Sequence, residues 1–301
     1  MIDIPSVVQN KARDVDAHDW LDGIPDLIAV LEREWSFRFG RVLPDATEAV
    51  VAEVTMEDAT PAVLKLLIPR DGEAAANEIV VLRLVAGDGC PRLFREDADR
   101  GAMLMERLGP SLHDLALPIE RRHQILAQVA ARIWRPVGDI ELPDGAAKVR
   151  WLVEFIASAW ADLDHPCSEQ AVDHAIGCAE RRFASHDRER SVLVHGDVHE
   201  WNALQDGDVF KAVDPDGFIA EPECDLGVIM REDPVELRVG DPWMRAHRLA
   251  GLTGTDPIAI WEWGVVERVA TGLLLTKVEL QPIGSEMLAT ADLLAAHHQT
   301  P

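Results

Sequence analysis

Apolar residues fall at helical spacing between Trp20 and Trp35, where Leu27, Ile28 and Leu31 share a face, so an amphipathic helix is expected there. From residue 37 to 68 the texture turns to strands. Ala49–Met56 is rich in β-formers, Glu57-Asp58 can turn the chain, and Ala62–Ile68 is a second apolar run. Pro69-Arg70-Asp71-Gly72 ends that run. A helix is expected over Glu73–Val85, closed by Gly87-Asp88-Gly89. Two short strands follow at Arg92–Phe94 and Ala102–Met105, before Gly109-Pro110 breaks the pattern. Beyond it helices dominate, at Ile119–Trp134, Val149–Leu163, Glu169–Phe183, Pro257–Leu280 and Ser285–His297. One β-rich island, Ser191–Phe218, interrupts them and reads as an embedded hairpin. The expected class is therefore α+β, with a small mixed lobe over residues 1–108 and a larger, mainly helical lobe over 109–301.

Composition changes this picture only by exclusion. With 301 residues, 48 % hydrophobic and 27 % charged, the chain can bury a large core without disulfides or metals. A disordered chain would carry fewer apolar residues. No run approaches the ~18 apolar residues of a membrane-spanning helix, and Met1-Ile2-Asp3-Ile4-Pro5 lacks the basic start of a secretion signal. Cys90, Cys167, Cys178 and Cys224 form no CxxC pair and read as reduced thiols of a cytoplasmic protein, a monomer or homodimer. Fifty-three acidic residues against 29 basic ones give a formal net charge of −24. Such a surface repels nucleic acid and anionic membranes and attracts small cations, although acidity also serves solubility.

The candidate chemistry lies in the β-rich island. An apolar strand, Val192-Leu193-Val194, delivers His195-Gly196-Asp197, and Asn202 follows five residues after the aspartate. Nine residues after Asn202, Lys211-Ala212-Val213 delivers Asp214-Pro215-Asp216-Gly217. Each strand carries a carboxylate into a turn with no evident packing need for it. Two carboxylates and an amide at this spacing can hold a hydroxyl acceptor and a divalent metal beside a triphosphate, and phosphoryl transfer asks mainly for positioning and charge neutralisation. Taken singly, Asp197 could cap a turn, Asn202 could form an Asx-turn and Asp214 could simply precede a proline. Lys65 stands inside an apolar strand run, where a buried charge needs a partner.

His195-Gly196-Asp197 to Asn202, then Asp214-Pro215-Asp216-Gly217 and Cys224-Asp225-Leu226-Gly227, resemble the aminoglycoside phosphotransferase family, whose fold is similar to that of protein kinases. Trp20–Pro25, Val63–Leu66, Leu82–Phe94 and Leu104–Leu108 resemble the streptomycin 6-phosphotransferase, or aminoglycoside/hydroxyurea resistance kinase, branch. The resemblance implies a nucleotide-binding lobe with an antiparallel sheet and a helix, and a helical lobe with catalytic loop and acceptor site. It implies ATP or GTP as donor and Mg2+ held by Asn202 and Asp214, with Asp197 taking the proton of the acceptor hydroxyl. Lys65 would pair with the nucleotide phosphates and be held by Glu78, with Glu73 as the rival partner. The backbone near Glu106 and Leu108 would meet the adenine edge. The phosphate loop would lie at Pro44-Asp45-Ala46-Thr47-Glu48, which has no glycine, leaving Thr47 as a donor.

The same resemblance places acidic side chains around a cationic acceptor, an aminoglycoside of the streptomycin type. Candidates are Glu232, Asp233, Asp241, Glu262 and Glu267, with His199 either touching substrate or bracing the loop. His195 is expected to brace the loop, Asp225 to cap a helix and Trp201 to lie in the core. Three other readings compete. One keeps the chemistry and makes the acceptor a metabolic sugar or amino alcohol. A metallophosphoesterase would share Gly196-Asp197-Val198-His199 but needs a GNH segment, which the chain lacks. A silent nucleotide-binding module would not need Asp197, Asn202, Asp214 and Lys65 together.

Overall fold

The computed structural model describes residues 2–44, 46–70 and 74–297. The chain divides into two units, one ending at Gly109 and the other beginning at Pro110. The first opens with helices α1 (Ser6–Asp14) and α2 (His18–Trp35). Strands β1 (Phe37–Val42), β2 (Ala49–Met56) and β3 (Pro61–Leu67) follow, then helix α3 (Ala74–Val85) and strands β4 (Leu93–Asp97) and β5 (Ala102–Glu106). All five strands form one antiparallel sheet in the order β1-β2-β3-β5-β4. Side chains alternate across a strand. Ala62, Leu64 and Leu66 of β3 therefore join Val50, Val54 and Leu104 on one face, packed with Ile24, Ile28 and Leu31 of α2 and Val8 of α1. Lys65 takes the opposite parity. It lies in the interior of the sheet, opposite Val51 of β2 and Met103 of β5.

The second unit begins with a 3-10 turn at His113–Leu115 and helices α4 (Ile119–Ile133), α5 (Gly145–Asp162) and α6 (Glu169–Ser185). Asp144 and Ser168 cap α5 and α6 by accepting the backbone N–H groups of Ala147 and Ala171. Strands β6 (Val192–Val194), β7 (Ala203–Asp206), β8 (Val209–Ala212) and β9 (Phe218–Ala220) come next. The expected single hairpin is two nested ones: β7 pairs with β8, and β6 reaches across them to pair with β9. The nesting leaves residues 195–202 and 213–217 as facing loops. Helices α7 (Glu223–Arg231), α8 (Pro234–Leu237), α9 (Trp243–Thr253), α10 (Pro257–Lys277) and α11 (Ile283–His297) complete the chain.

Helix α10 is buried over most of its length and carries Trp261, Trp263, Glu262, Glu267 and Arg268 inward. It crosses α7 at glycines. A Cβ on Gly227 would lie 2.3 Å from the Cβ of Trp263, and one on Gly264 would lie 2.4 Å from Met230. That close approach brings charged residues of α7 and α10 within reach of each other. All four cysteines are buried thiols. Among the described residues no helix is long and apolar enough to cross a membrane.

Candidate active site

The loop after β6 is built around a glycine. Gly196 has φ +95°, and a Cβ there would fall 2.9 Å from the Phe218 ring, so only glycine fits both backbone and space. Asp225 holds the loop from behind. Its carboxylate, fully buried in the first turn of α7, accepts the N–H of His195 at 3.1 Å and of Gly196 at 2.7 Å, and Trp134 Nε1 at 2.9 Å. It is not the helix cap expected of it; the capping position belongs to Pro222. His195 is the expected brace. It donates Nε2–H to the Val213 carbonyl at 2.9 Å and accepts the Asp197 N–H on Nδ1 at 3.2 Å, and burial holds its pKa below the ordinary value.

Asp197 thus enters the site on a fixed backbone. Its Oδ1 accepts from Arg231 Nη2 at 2.8 Å and its Oδ2 from His199 Nε2 at 3.2 Å. Asn202 Nδ2 donates to the Asp197 carbonyl at 3.2 Å. Burial alone would raise the Asp197 pKa, but His199 and Arg231 outweigh it and hold the carboxyl well below the usual range. Its side chain is 34 % exposed, so the ionised group remains reachable. Burial disfavours the His199 imidazolium, yet the Asp197 charge raises its pKa.

The facing loop brings the second carboxylate. Val213 donates its N–H to the Asn202 carbonyl at 2.8 Å, which sets the backbone of Asp214 one residue beyond that contact. Asp214 has φ +59° and is exposed. Asn202 and Asp214 offer hard oxygen donors, which suit Mg2+. Among the described residues no group of three or more His, Cys, Asp and Glu could hold a metal, so a metal here would need other ligands such as phosphate oxygens.

The acidic residues expected at the acceptor end are mostly occupied by this chain's own cations. Glu262 is 1 % exposed between Arg181 and Arg182, the latter 2.6 Å away, and cannot present a carboxylate to a ligand. Glu267 is likewise buried. Asp233 accepts from Arg122 and, at 3.0 Å, from His123 Nε2. Glu232 pairs with Arg231 at 3.2 Å. The cavity bounded by Arg122, His123, Leu126, Glu200, Glu232 and Asp233 holds only about 10 Å³, about one water. Trp201, expected in the core, is more than half exposed, its ring stacked on His113 at 3.5 Å. Sequence reasoning passed over Arg231, Arg122 and Glu200. Arg231 left a signal, since it ends the apolar run Leu226–Met230, where an unpaired charge would be costly.

In the first unit, Lys65 and Glu78 are both buried, and the ammonium lies 2.7 Å from each carboxylate oxygen. Thr47 is exposed on the turn between β1 and β2, beside Glu48, which pairs with Lys11 and Arg70. Glu106 ends β5, its N–H donated to the Arg92 carbonyl at 2.9 Å and its carboxylate accepting the Arg92 N–H at 3.0 Å. Leu108 follows, half-buried. Asp45 and Glu73 fall outside the described residues.

A family model described as aminoglycoside/hydroxyurea antibiotic resistance kinase matches residues 35–252. A hydroxyurea phosphotransferase of Kitasatospora aureofaciens is 28 % identical over 85 % of this chain and 75 % of its own. A streptomycin 6-kinase of Streptomyces griseus is 29 % identical over 69 % of this chain and 66 % of its own. Among solved structures, the GDP and kanamycin complex of APH(2")-IIia superposes with a TM-score of 0.60 at 13 % identity, covering 91 % of this chain and 99 % of that one. The fold is the kinase-like fold of aminoglycoside phosphotransferases.

Proposed function

Because the chain belongs to the aminoglycoside/hydroxyurea antibiotic resistance kinase family, we propose that it transfers the γ-phosphoryl group of ATP to a hydroxyl of a small acceptor, in the first instance a streptomycin-type aminoglycoside. One observation carries the reading: Asp197 is held ionised and reachable on a rigid loop, with Asn202 and Asp214 brought alongside. In this reading Asp197 accepts the proton of the acceptor hydroxyl as its oxygen attacks the γ-phosphorus and the bond to ADP breaks. Arg231 and His199 fix the carboxylate so that its orientation needs no adjustment during the step. Lys65, steadied by Glu78, meets the nucleotide phosphates. Asn202 and Asp214 would hold Mg2+, which when bound neutralises phosphate charge.

Hydroxyurea is the second reading for the acceptor. It is favoured by the relative that aligns over 85 % of this chain at 28 % identity and by the pairing of Asp233 and Glu262 with arginines, which leaves few spare carboxylates for a polycation. The test is ADP release from magnesium-ATP with streptomycin, with hydroxyurea and with neither, using Asp197→Asn as control. Turnover that depends on one acceptor and is lost in Asp197→Asn confirms the reaction and selects the acceptor. Acceptor-dependent turnover undiminished by Asp197→Asn would remove Asp197 from the reaction.

A further inference from the structure

The support of Asp197 extends beyond Arg231 into the interior of the second unit. Lys148 of α5 and Glu267 of α10 are both buried, and their charged ends lie 2.9 Å apart. Lys148 Nζ also donates to the Gly196 carbonyl at 2.9 Å. The other Glu267 oxygen pairs with Arg231 Nη1 at 3.1 Å, and Arg231 Nη2 reaches Asp197 at 2.8 Å. The four side chains therefore close a ring that grips two consecutive residues, Gly196 by its backbone and Asp197 by its carboxylate.

We infer that Lys148 and Glu267 are positioning residues for Asp197, setting the direction of its carboxylate through this ring. The inference rests on the reading of Asp197 as the group that takes the acceptor proton. Two features argue for positioning over packing. The backbone around Gly196 is clamped by opposite charges, Asp225 on the N–H groups of His195 and Gly196 and Lys148 on the Gly196 carbonyl. That fixes the turn that aims Asp197. The second feature concerns Arg231, which has a competing partner in Glu232 at 3.2 Å. Glu267 anchors one arm of the guanidinium so that the other stays on Asp197. Buried charges of this kind contribute little net stability against well-packed apolar residues, so their value lies in the geometry they impose. Burial would discharge Lys148, but the Glu267 and Asp216 carboxylates outweigh it and raise its pKa, so the clamp stays charged.

The experiment compares full-length Lys148→Met, Lys148→Arg, Glu267→Gln and Arg231→Met, and Lys148→Met in the Arg231→Met background, all below their melting temperatures. Lys148→Met and Glu267→Gln are expected to lower kcat about 10- to 100-fold, as loss of alignment does. KM for ATP and for the acceptor should stay within about threefold, because binding is untouched. Lys148→Arg should restore most of the rate. Lys148→Met should cost little more once Arg231→Met has opened the ring. Wild-type kcat in Lys148→Met, equal losses in Lys148→Arg, or full additivity with Arg231→Met would overturn the inference. Amide hydrogen exchange decides it without turnover. Lys148→Met should speed exchange at residues 195–199 and leave α10 unchanged, whereas unchanged exchange at 195–199 overturns it. A wild-type protein that turns over no acceptor sinks the phosphotransfer reading, and the exchange arm still reports on the ring.

Discussion

Lys65 with Glu78 in the first unit and Arg231 with Asp197 in the second are ion pairs of similar length built to opposite ends. The first is closed: both side chains are buried, and both carboxylate oxygens face one ammonium at 2.7 Å. The second is open, with Asp197 a third exposed and its carboxylate divided among Arg231, His199 and Asn202. The closed pair uses an acid to keep a cation in place inside a sheet. The open pair uses a cation to keep an acid ionised and aimed where solvent can reach it. Burial fixes a charge, and partial exposure lets it meet a substrate.

Substitutions in the two pairs should therefore separate activity from stability. Asp197→Asn should show the largest loss of turnover, about a thousandfold in kcat, as removal of a general base does. Its melting transition should fall only modestly, because the amide fills the same partly exposed space and Arg231 keeps Glu232 and Glu267 as partners. Lys65→Met should instead cost about 3–5 kcal/mol of stability by leaving Glu78 buried without its ammonium. Lys65→Met combined with Glu78→Leu should regain most of that stability in urea titrations while phosphotransfer stays lost. A double variant that stays as unstable as Lys65→Met would show that the pair holds the sheet together and is not reserved for a ligand.

How legible each pair was in the sequence follows from where its partners lie. Lys65 announced itself as a charge inside Ala62–Ile68, whereas Glu78 on the next helix was named as its partner by the family resemblance, with Glu73 as the rival. Asp197, Asn202 and Asp214 were legible because strands deliver them within twenty residues of one another. Lys148, Arg231 and Glu267 sit on three helices, and only the crossing of α7 and α10 at Gly227 and Gly264 brings two of them together. No periodicity records that. The same distance hid the fate of Glu262, which reads as a surface acid between two tryptophans until Arg181 and Arg182 close over it. Helices α1, α8 and α9 escaped, being short, and in α7 the Asp225 expected to cap the helix is already inside it. Trp201 was misplaced for a related reason: a large aromatic defaults to the core, whereas here the ring stacks on His113 at the surface.

The smallest predicted effect extends the contrast to a half-buried group whose buried ring nitrogen has neither kind of partner. His174 of α6 has a ring Nε2 with no hydrogen-bond partner among the described residues. Burial first, then Arg181 and Arg268, hold its pKa below 6.5. Between the folded-state value and 6.5 the unfolded chain binds a proton that the folded chain does not. Stability from this residue is therefore complete above pH 6.5 and declines as the pH falls below it. His174→Leu removes the titration and a buried polar atom together, so it should become progressively more stable than wild type as pH falls from 7 to 5.5. The gain is bounded at about 1.4 kcal/mol per pH unit for one group and is smaller for a site that solvent partly reaches. Urea midpoints at several pH values read the difference, in which every other titrating group cancels. A difference that stays flat across that range would mean that His174 takes up its proton over the same pH range in the folded and unfolded chain, with solvent supplying the partner that the ring otherwise lacks.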